Sequence, residues 1–437
     1  MKKFNKDKYL KKLKFKKYKR YLYMGIPCIL VLLVGIYFAY SKFSVFKEED
    51  VVRTTVGDFI SDDIVVGAYI DGEYSKTIPG KNDGYVVDKI VCDNNASASW
   101  DNDSWGIVLT NLTKKTKCNV YFNKVVSVSE KVITAINNNP SMFATDDPDN
   151  NIRYIGKDPS NYVYFNCSDY TNPTADTCEK WRIIGVFNNV TKADGSKENL
   201  VKIIRDESIG NYPWDCNEVN DWTTASLNYL LNPGHDSESI GGSLYYNAKS
   251  GTCYADVRNA TTSCDFTSTG LKNDTTRNAI EEVVWHLGGN YGINGLKPFD
   301  FYEGERGTTV YKGHATLWIG KIALIYLSDY GYATSGGTTK DRNACLDEVI
   351  HYWYNGGEFD DCSKNDYLLN LHYQLTMNVH SNLDDNVFAV SSSGATGGSA
   401  AITDGVVRPT LFLKSNIVVK SGTGESSNPY QLKLGID

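Results

Sequence analysis

The chain has 437 residues and a mass of 48.7 kDa, is 41% hydrophobic and 22% charged, and carries a formal net charge of −7. This balance excludes a disordered chain and a polytopic membrane protein, and the length suits two to three domains with real cores. Charge is unevenly placed: residues 1–20 hold 11 Lys/Arg against one Asp, leaving 34 basic and 51 acidic side chains in residues 21–437, a net of −17. An acidic body argues against nucleic acid as a partner.

The basic cytoplasmic tail (1–20) runs into YLYMGIPCILVLLVGIYFAY (21–40), which has no charged side chain. Twenty helical residues rise roughly 30 Å, enough to cross the hydrocarbon core. Tyr21 and Tyr23 at one end, and Tyr37, Phe38 and Tyr40 at the other, suit the interfacial belts. The positive flank predicts a single-pass signal-anchor with the N-terminus cytoplasmic and the C-terminus extracellular, so membrane lipid is a partner through 21–40. A signal peptide cleaved near Ala39-Tyr40-Ser41 is the competing reading; the long basic region and long apolar run favour the anchor.

Cysteine usage agrees with export. Cys28 lies in the span, leaving nine outside, with no CxxC spacing or Cys/His cluster for zinc. Neighbouring pairs enclose short loops, which predicts Cys92–Cys118, Cys167–Cys178, Cys253–Cys264 and Cys345–Cys362, although spacing alone does not fix connectivity. A bridge closing about 15 residues contributes on the order of 3 kcal/mol in the chain-entropy model. Cys216 is left over, either buried and inert or paired between chains, so the oligomeric state stays open.

After a charged stalk (41–54), residues 55–125 alternate apolar and polar residues between Gly/Asn/Asp turns, which predicts a small β-sandwich. Its Trp100 and Trp105 suit either a sugar platform or hairpin core aromatics, and the second reading is favoured. Residues 126–145 read as a linker with a helix over 130–137, capped by Ser129 and stopped near Pro140. In the last domain, 146–437, WRIIGVF (181–187) and LVKIIRD (200–206) predict a strand pair. A helix follows Asp221 and ends at Asn232-Pro233-Gly234, with Leu227, Leu230 and Leu231 on one face. Ile280, Val283, Val284 and Leu287 have helical spacing and predict a second helix over 275–287, capped by Asp274. GKIALIYLSDYGYA (320–333) reads as a buried strand and ACLDEVIHYWY as a third short helix. NVFAVSSSG (386–394) and VVRPTLFLKSNIVVK (406–420) close with strands, and the loops between are long.

The combination NIRYIGKDPSNYVYFN (151–166), WRIIGVF, VKIIRDESIGNYPWD (201–215), NDWTTASLNYLLNPG (220–234), GKIALIYLSDYGYATSGG (320–337) and GVVRPTLFLKSNIVVKSGTGESSNPYQL (405–432) resembles a group of uncharacterised, membrane-anchored exported proteins of low-GC Gram-positive, often gut-dwelling, bacteria. The resemblance covers roughly 146–437. The order of elements there is also similar to C-type-lectin-like domains, including the variant in formylglycine-generating enzymes. That resemblance implies an α+β fold class: a single transmembrane helix, a small all-β sandwich, then a C-type-lectin-like α+β domain with long loops. The calcium-dependent sugar tripeptides EPN and QPD of animal C-type lectins are missing, and the only WDN (100–102) lies in the small β-domain.

Motifs for chemistry are sparse. DDPDNN (146–151) alternates Asp147, Asp149 and Asn151 like a calcium loop, but an EF-hand needs Gly and Glu where Ile152 and Asp158 stand, so a solvated turn is expected. The six histidines show no HExxH spacing, and there is no GxSxG, P-loop or GxGxxG; no metal, cofactor or catalytic residue is assigned. In FYEGERG (301–307), read as a loop, Glu303 and Glu305 point apart, and an ion pair with Arg306 is expected rather than glycosidase chemistry. Clustered aromatics among 30 Tyr and 8 Trp suit recognition, although AT-rich codon usage accounts for Tyr, Asn and Lys equally well. The expected function is a non-catalytic surface recognition protein, an adhesin or glycan/protein-binding module, using loops about 290–318 and 354–405. Tyr302, Glu303, Trp353, Tyr354 and Tyr373 are its candidate ligand contacts. The alternatives are a cell-envelope hydrolase or modifying enzyme, and a structural surface protein without a soluble ligand.

Overall fold

A computed structural model describes residues 52–54 and 64–434, with breaks at 82, 94, 103, 111–115, 125 and 256. The basic tail, the apolar segment 21–40 and most of the stalk lie outside the described residues. Among the described residues, no helix is long and apolar enough to cross a membrane. The chain divides into two compact units, one through Lys124 and one from Val125.

In the first unit, Val52–Thr54, Gly106–Thr110 and Ser97–Asp101 form a three-stranded sheet; the stalk's last residues are thus strand. A second sheet orders Glu73–Ser75, Ile64–Ile70, Thr116–Lys124 and Tyr85–Cys92. Ile107, Leu109, Val120 and Phe122 are buried between alternating strand positions. Trp100 meets Phe122 edge-on at 5.3 Å, and Trp105 donates its Nε1–H to the Pro79 carbonyl at 2.7 Å. Both rings therefore pack into this small core instead of forming an open platform. Cys92 and Cys118 face one another in register across adjacent strands and are bonded.

The second unit corrects the expected α+β class. Over the described residues of both units strand outweighs helix 37% to 15%, and several sheets make the fold mostly β. The largest sheet has ten strands, with Lys197–Arg205 and Glu179–Thr191 at its centre and Thr410–Leu413 alongside. Residues 181–187 and 200–204 are buried without alternation because both sheet faces are covered. A second, five-stranded sheet orders Asn211–Pro213, Asp404–Val406, Gln374–Val379, Asn386–Val390 and Thr396–Ala400.

Several expected helices give way. The one over 275–287 shrinks to Asp274–Asn278, capped by Asn273, whose Oδ1 accepts from the Thr276 N–H at 2.9 Å. Val283–His286 is a strand antiparallel to Leu317–Gly320, since β-branched and aromatic residues fit a pleated surface and four apolar positions do not define a period. Residues 320–333 hold a short strand, Ile322–Ala323, and a helical turn, Leu327–Gly331. The helix expected at ACLDEVIHYWY splits into Arg342–Leu346 and a 3-10 turn, Ile350–Tyr352. FYEGERG, expected to be a loop, ends the helix Pro298–Arg306; Pro298 lies in its first turn, and Asp300 accepts from the Lys297 N–H at 2.9 Å. The supposed linker belongs to this unit: Val126–Ser127 joins the large sheet, and helix Val128–Asn138 starts on a capping box of Ser127 and Glu130 and buries Val128 and Val132 in the main core.

Cys167–Cys178, Cys253–Cys264 and Cys345–Cys362 are also bonded, while Cys216 is a buried free thiol. Four disulfides point to an oxidising, extracellular setting. Gly185 allows a close backbone approach in the central strand: a Cβ there would lie 2.1 Å from the Ile152 carbonyl oxygen, beside the register shift between Ile183 and Gly185. Gly185→Ala is expected to lower urea-unfolding stability by about 1–3 kcal/mol, the usual cost of overpacking; unchanged stability would contradict the tight contact.

Candidate functional site

Four charged side chains meet in the interior of the second unit. Asp147 accepts from the Asn151 backbone N–H at 2.8 Å and from Arg153 Nε at 2.5 Å. Arg153 Nη1 donates to Asp329 Oδ1 at 2.9 Å, and Lys202 Nζ donates to Asp329 Oδ2. All four side chains are at most 2% exposed. Burial lowers the Lys202 ammonium, and a single carboxylate shared with Arg153 does not restore it. Burial pushes the Asp329 carboxyl upward, but Lys202 and Arg153 together outweigh that and hold it at about 2. Burial likewise lowers Arg153, and here Asp147 and Asp329 prevail and raise it. The row alternates in sign, so no charge is buried alone.

Beside Lys202 opens a cavity of about 100 Å³. Its apolar lining comes from Phe187, Trp285, Tyr326 and Phe412. The polar lining comes from Asp149, Asn188, Asn189, Thr191, His286 and Arg306. The turn 149–151 is held by Asn188, whose Nδ2 donates to the carbonyls of Asp149 at 3.1 Å and Asn150 at 2.9 Å. Asn189 lies exposed at φ 53°, the left-handed region, within the register shift between Phe187 and Val190 of the strand Glu179–Thr191. The Tyr326 hydroxyl accepts from the His286 N–H at 3.0 Å and donates to the His286 carbonyl at 2.9 Å, fixing that residue at the rim. Burial, with Arg306 adding to it, lowers the His286 imidazole to about 4, so it is neutral at physiological pH.

None of the five sequence candidates lines this cavity. Tyr302 comes nearest: it is buried, its hydroxyl donates to Asp149, and its ring lies 3.4 Å under the Arg306 guanidinium. It thus positions two lining residues. Glu303 is exposed on the helix Pro298–Arg306, whereas Glu305 is fully buried and pairs with Arg306 at 3.3 Å. Glu305 also accepts from the Ser328 N–H at 3.0 Å and from Asn378 Nδ2 at 2.8 Å. Trp353 is a core residue against Tyr330, Tyr354 is 47% exposed, and Tyr373 donates to Ser399 Oγ at 3.0 Å. Asp147 of DDPDNN is committed to Arg153, and among the described residues no group of three His, Cys, Asp or Glu is placed to hold a metal ion. Asn188-Asn189 interrupting an apolar strand is the available signal for the cavity; the strand Val283–His286 is hidden by its helical spacing.

Comparisons with protein-family models, with curated proteins and with solved structures return no match.

Arg153→Met leaves Asp147 buried without its cation and is expected to cost about 3–5 kcal/mol in urea unfolding. A loss below about 1 kcal/mol would mean that the charged row does not organise the core. His286 adds a pH dependence of known sign. Between about 4 and about 6.5 the unfolded chain binds a proton that the folded chain does not, so stability falls as pH drops through this window. The His286→Gln variant is expected to lose that part of the slope, on the order of 2–3 kcal/mol, in unfolding curves compared with the parent at each pH.

Proposed function

We propose that the protein is a non-catalytic recognition protein displayed outside the membrane, binding a hydroxyl-rich unit such as the terminal sugar of a glycan in the cavity beside Lys202. The carrying observation is the lining itself: amides, a hydroxyl, a neutral imidazole and an Arg–Asp pair face an aromatic floor. Such a surface offers both donors and acceptors to hydroxyls and an apolar wall to a sugar ring. Beside it, Leu317 and Ile319 are each 52% exposed on the strand facing His286 and Val284, extending the apolar surface beyond the cavity. The cavity holds one small unit, so longer ligands extend onto this ribbon.

Display follows from the sequence: residues 21–40 serve as the anchor, with the basic tail inside and the disulfide-bonded units outside. The resemblance to membrane-anchored exported proteins of low-GC Gram-positive bacteria fits the same arrangement.

The test titrates the oxidised full chain, in detergent, against a panel of mucin-type and cell-wall glycans. Asn189→Gly removes an amide from the rim while tolerating the left-handed backbone. Saturable binding weakened about tenfold by this change, the worth of one to two hydrogen bonds, is the expected result. A ligand whose affinity is unmoved by Asn189→Gly and by His286→Gln binds elsewhere and contradicts the site.

A further inference from the structure

The Lys202–Asp329 pair has a feature that ligand recognition does not use. Both side chains are 1% exposed, and Lys202 Nζ lies against Asp329 Oδ2. The nitrogen is 4.6 Å from the ring centroid of Tyr326, 5.2 Å from Phe187, 5.3 Å from Trp285 and 5.6 Å from Phe412. Arg153 Nη1 donates to the other carboxyl oxygen, Oδ1, at 2.9 Å, and the Tyr326 N–H donates to Oδ2 at 3.0 Å. An amine and a carboxyl group are thereby held in contact, oriented, and packed among four aromatic rings at the edge of the cavity. These are the conditions under which a bimolecular condensation becomes a unimolecular one with a high effective concentration.

We propose that Lys202 and Asp329 condense into an isopeptide bond, a covalent modification of the folded chain that ties the central strand Lys197–Arg205 to the helical turn Leu327–Gly331. The step balances without an oxidant, cofactor or second molecule: an ammonium and a carboxylate become one amide and one water. A first proton passes from Nζ to Oδ2, freeing the nitrogen lone pair, and the Nζ–Cγ bond forms. The negative charge developing on Oδ1 is met by the Arg153 guanidinium already bonded there, in the manner of an oxyanion hole. A second proton passes from Nζ to Oδ2, the Cγ–Oδ2 bond breaks, and Oδ2 leaves as water. Lys202 lines the neighbouring cavity, which gives that water an exit.

Two opposing tendencies set the course of the reaction. Burial favours the uncharged amine at Lys202 and disfavours keeping two ions in a dry site, which an amide removes. Against this, the two cations around Asp329 outweigh its own burial and hold its carboxyl at about 2, so the ion pair is the resting form and condensation draws on a minor neutral pair. Maturation after folding is therefore slow compared with folding itself.

The test is intact-mass and peptide mass spectrometry of the full chain, held folded at neutral pH and then reduced and alkylated. The expected result is a mass one water below that of the sequence with its ten cysteines alkylated, with a branched peptide joining the segments that contain Lys202 and Asp329. Lys202→Arg keeps a cation but is expected to restore the full mass. The parent protein alone decides the matter should that variant not fold. The full sequence mass with linear peptides across both residues overturns the proposal, and so does a one-water deficit that maps to an aspartyl succinimide elsewhere. Neither outcome depends on whether the cavity binds a glycan.

Discussion

Arg153 between Asp147 and Asp329 is the interaction on which the second unit depends. A guanidinium that is 2% exposed must find acceptors, and those of Arg153 are two carboxylates that come from sequence positions 147 and 329. Asp329 in turn brings in Lys202 from the centre of the ten-stranded sheet. The turn at 147–151, the central strand and the helical turn Leu327–Gly331 must therefore arrive together. Without the helical turn, Lys202 is buried without its partner, a far larger penalty than a lost apolar contact.

The cavity is a consequence of this row. Rings from Phe187, Trp285, Tyr326 and Phe412 surround the Lys202 ammonium, and the outer edges of the same rings line the space in which the rim amides and His286 stand. Glu305 acts in the same way one layer out. It joins the helix Pro298–Arg306 to Ser328 and to Asn378 of the second sheet, while its neighbour Arg306 reaches the rim. Rigidity at the rim thus comes from buried polar bonds behind it, while the disulfides close other segments, Cys253–Cys264 among them within a strand pair.

What the sequence makes legible is what short range determines. The strand pair at 181–187 and 200–206 and the four cysteine pairs rest on local pattern or short loops, and each is present, whereas Asp221 caps a 3-10 turn, Trp222–Thr224, and the helix Ser226–Leu231 starts separately on Ala225. The helix over 275–287 fails because pairing with Leu317–Gly320, some thirty residues on, outweighs a four-residue periodicity. That error, with the split elements after 320, turns an expected α+β domain into a mostly β one. The site was less legible still. Its aromatic candidates rest on clustering along the chain, as at Trp353 and Tyr354, or on an expected loop, as at Tyr302, and Trp353 and Tyr302 are buried. The cavity is assembled from residues near 150, 190, 202, 285, 306, 326 and 412, which no local pattern links.

Native-state hydrogen exchange on the full chain tests the central claim most directly, because it reports the opening energy of each segment separately. The account predicts that the amides of Arg153, Lys202 and Tyr326–Asp329 exchange together and only through global unfolding of the second unit. Exchange of any one of these segments through an independent, lower-energy opening would contradict it, since the charged row would then part without the core parting with it.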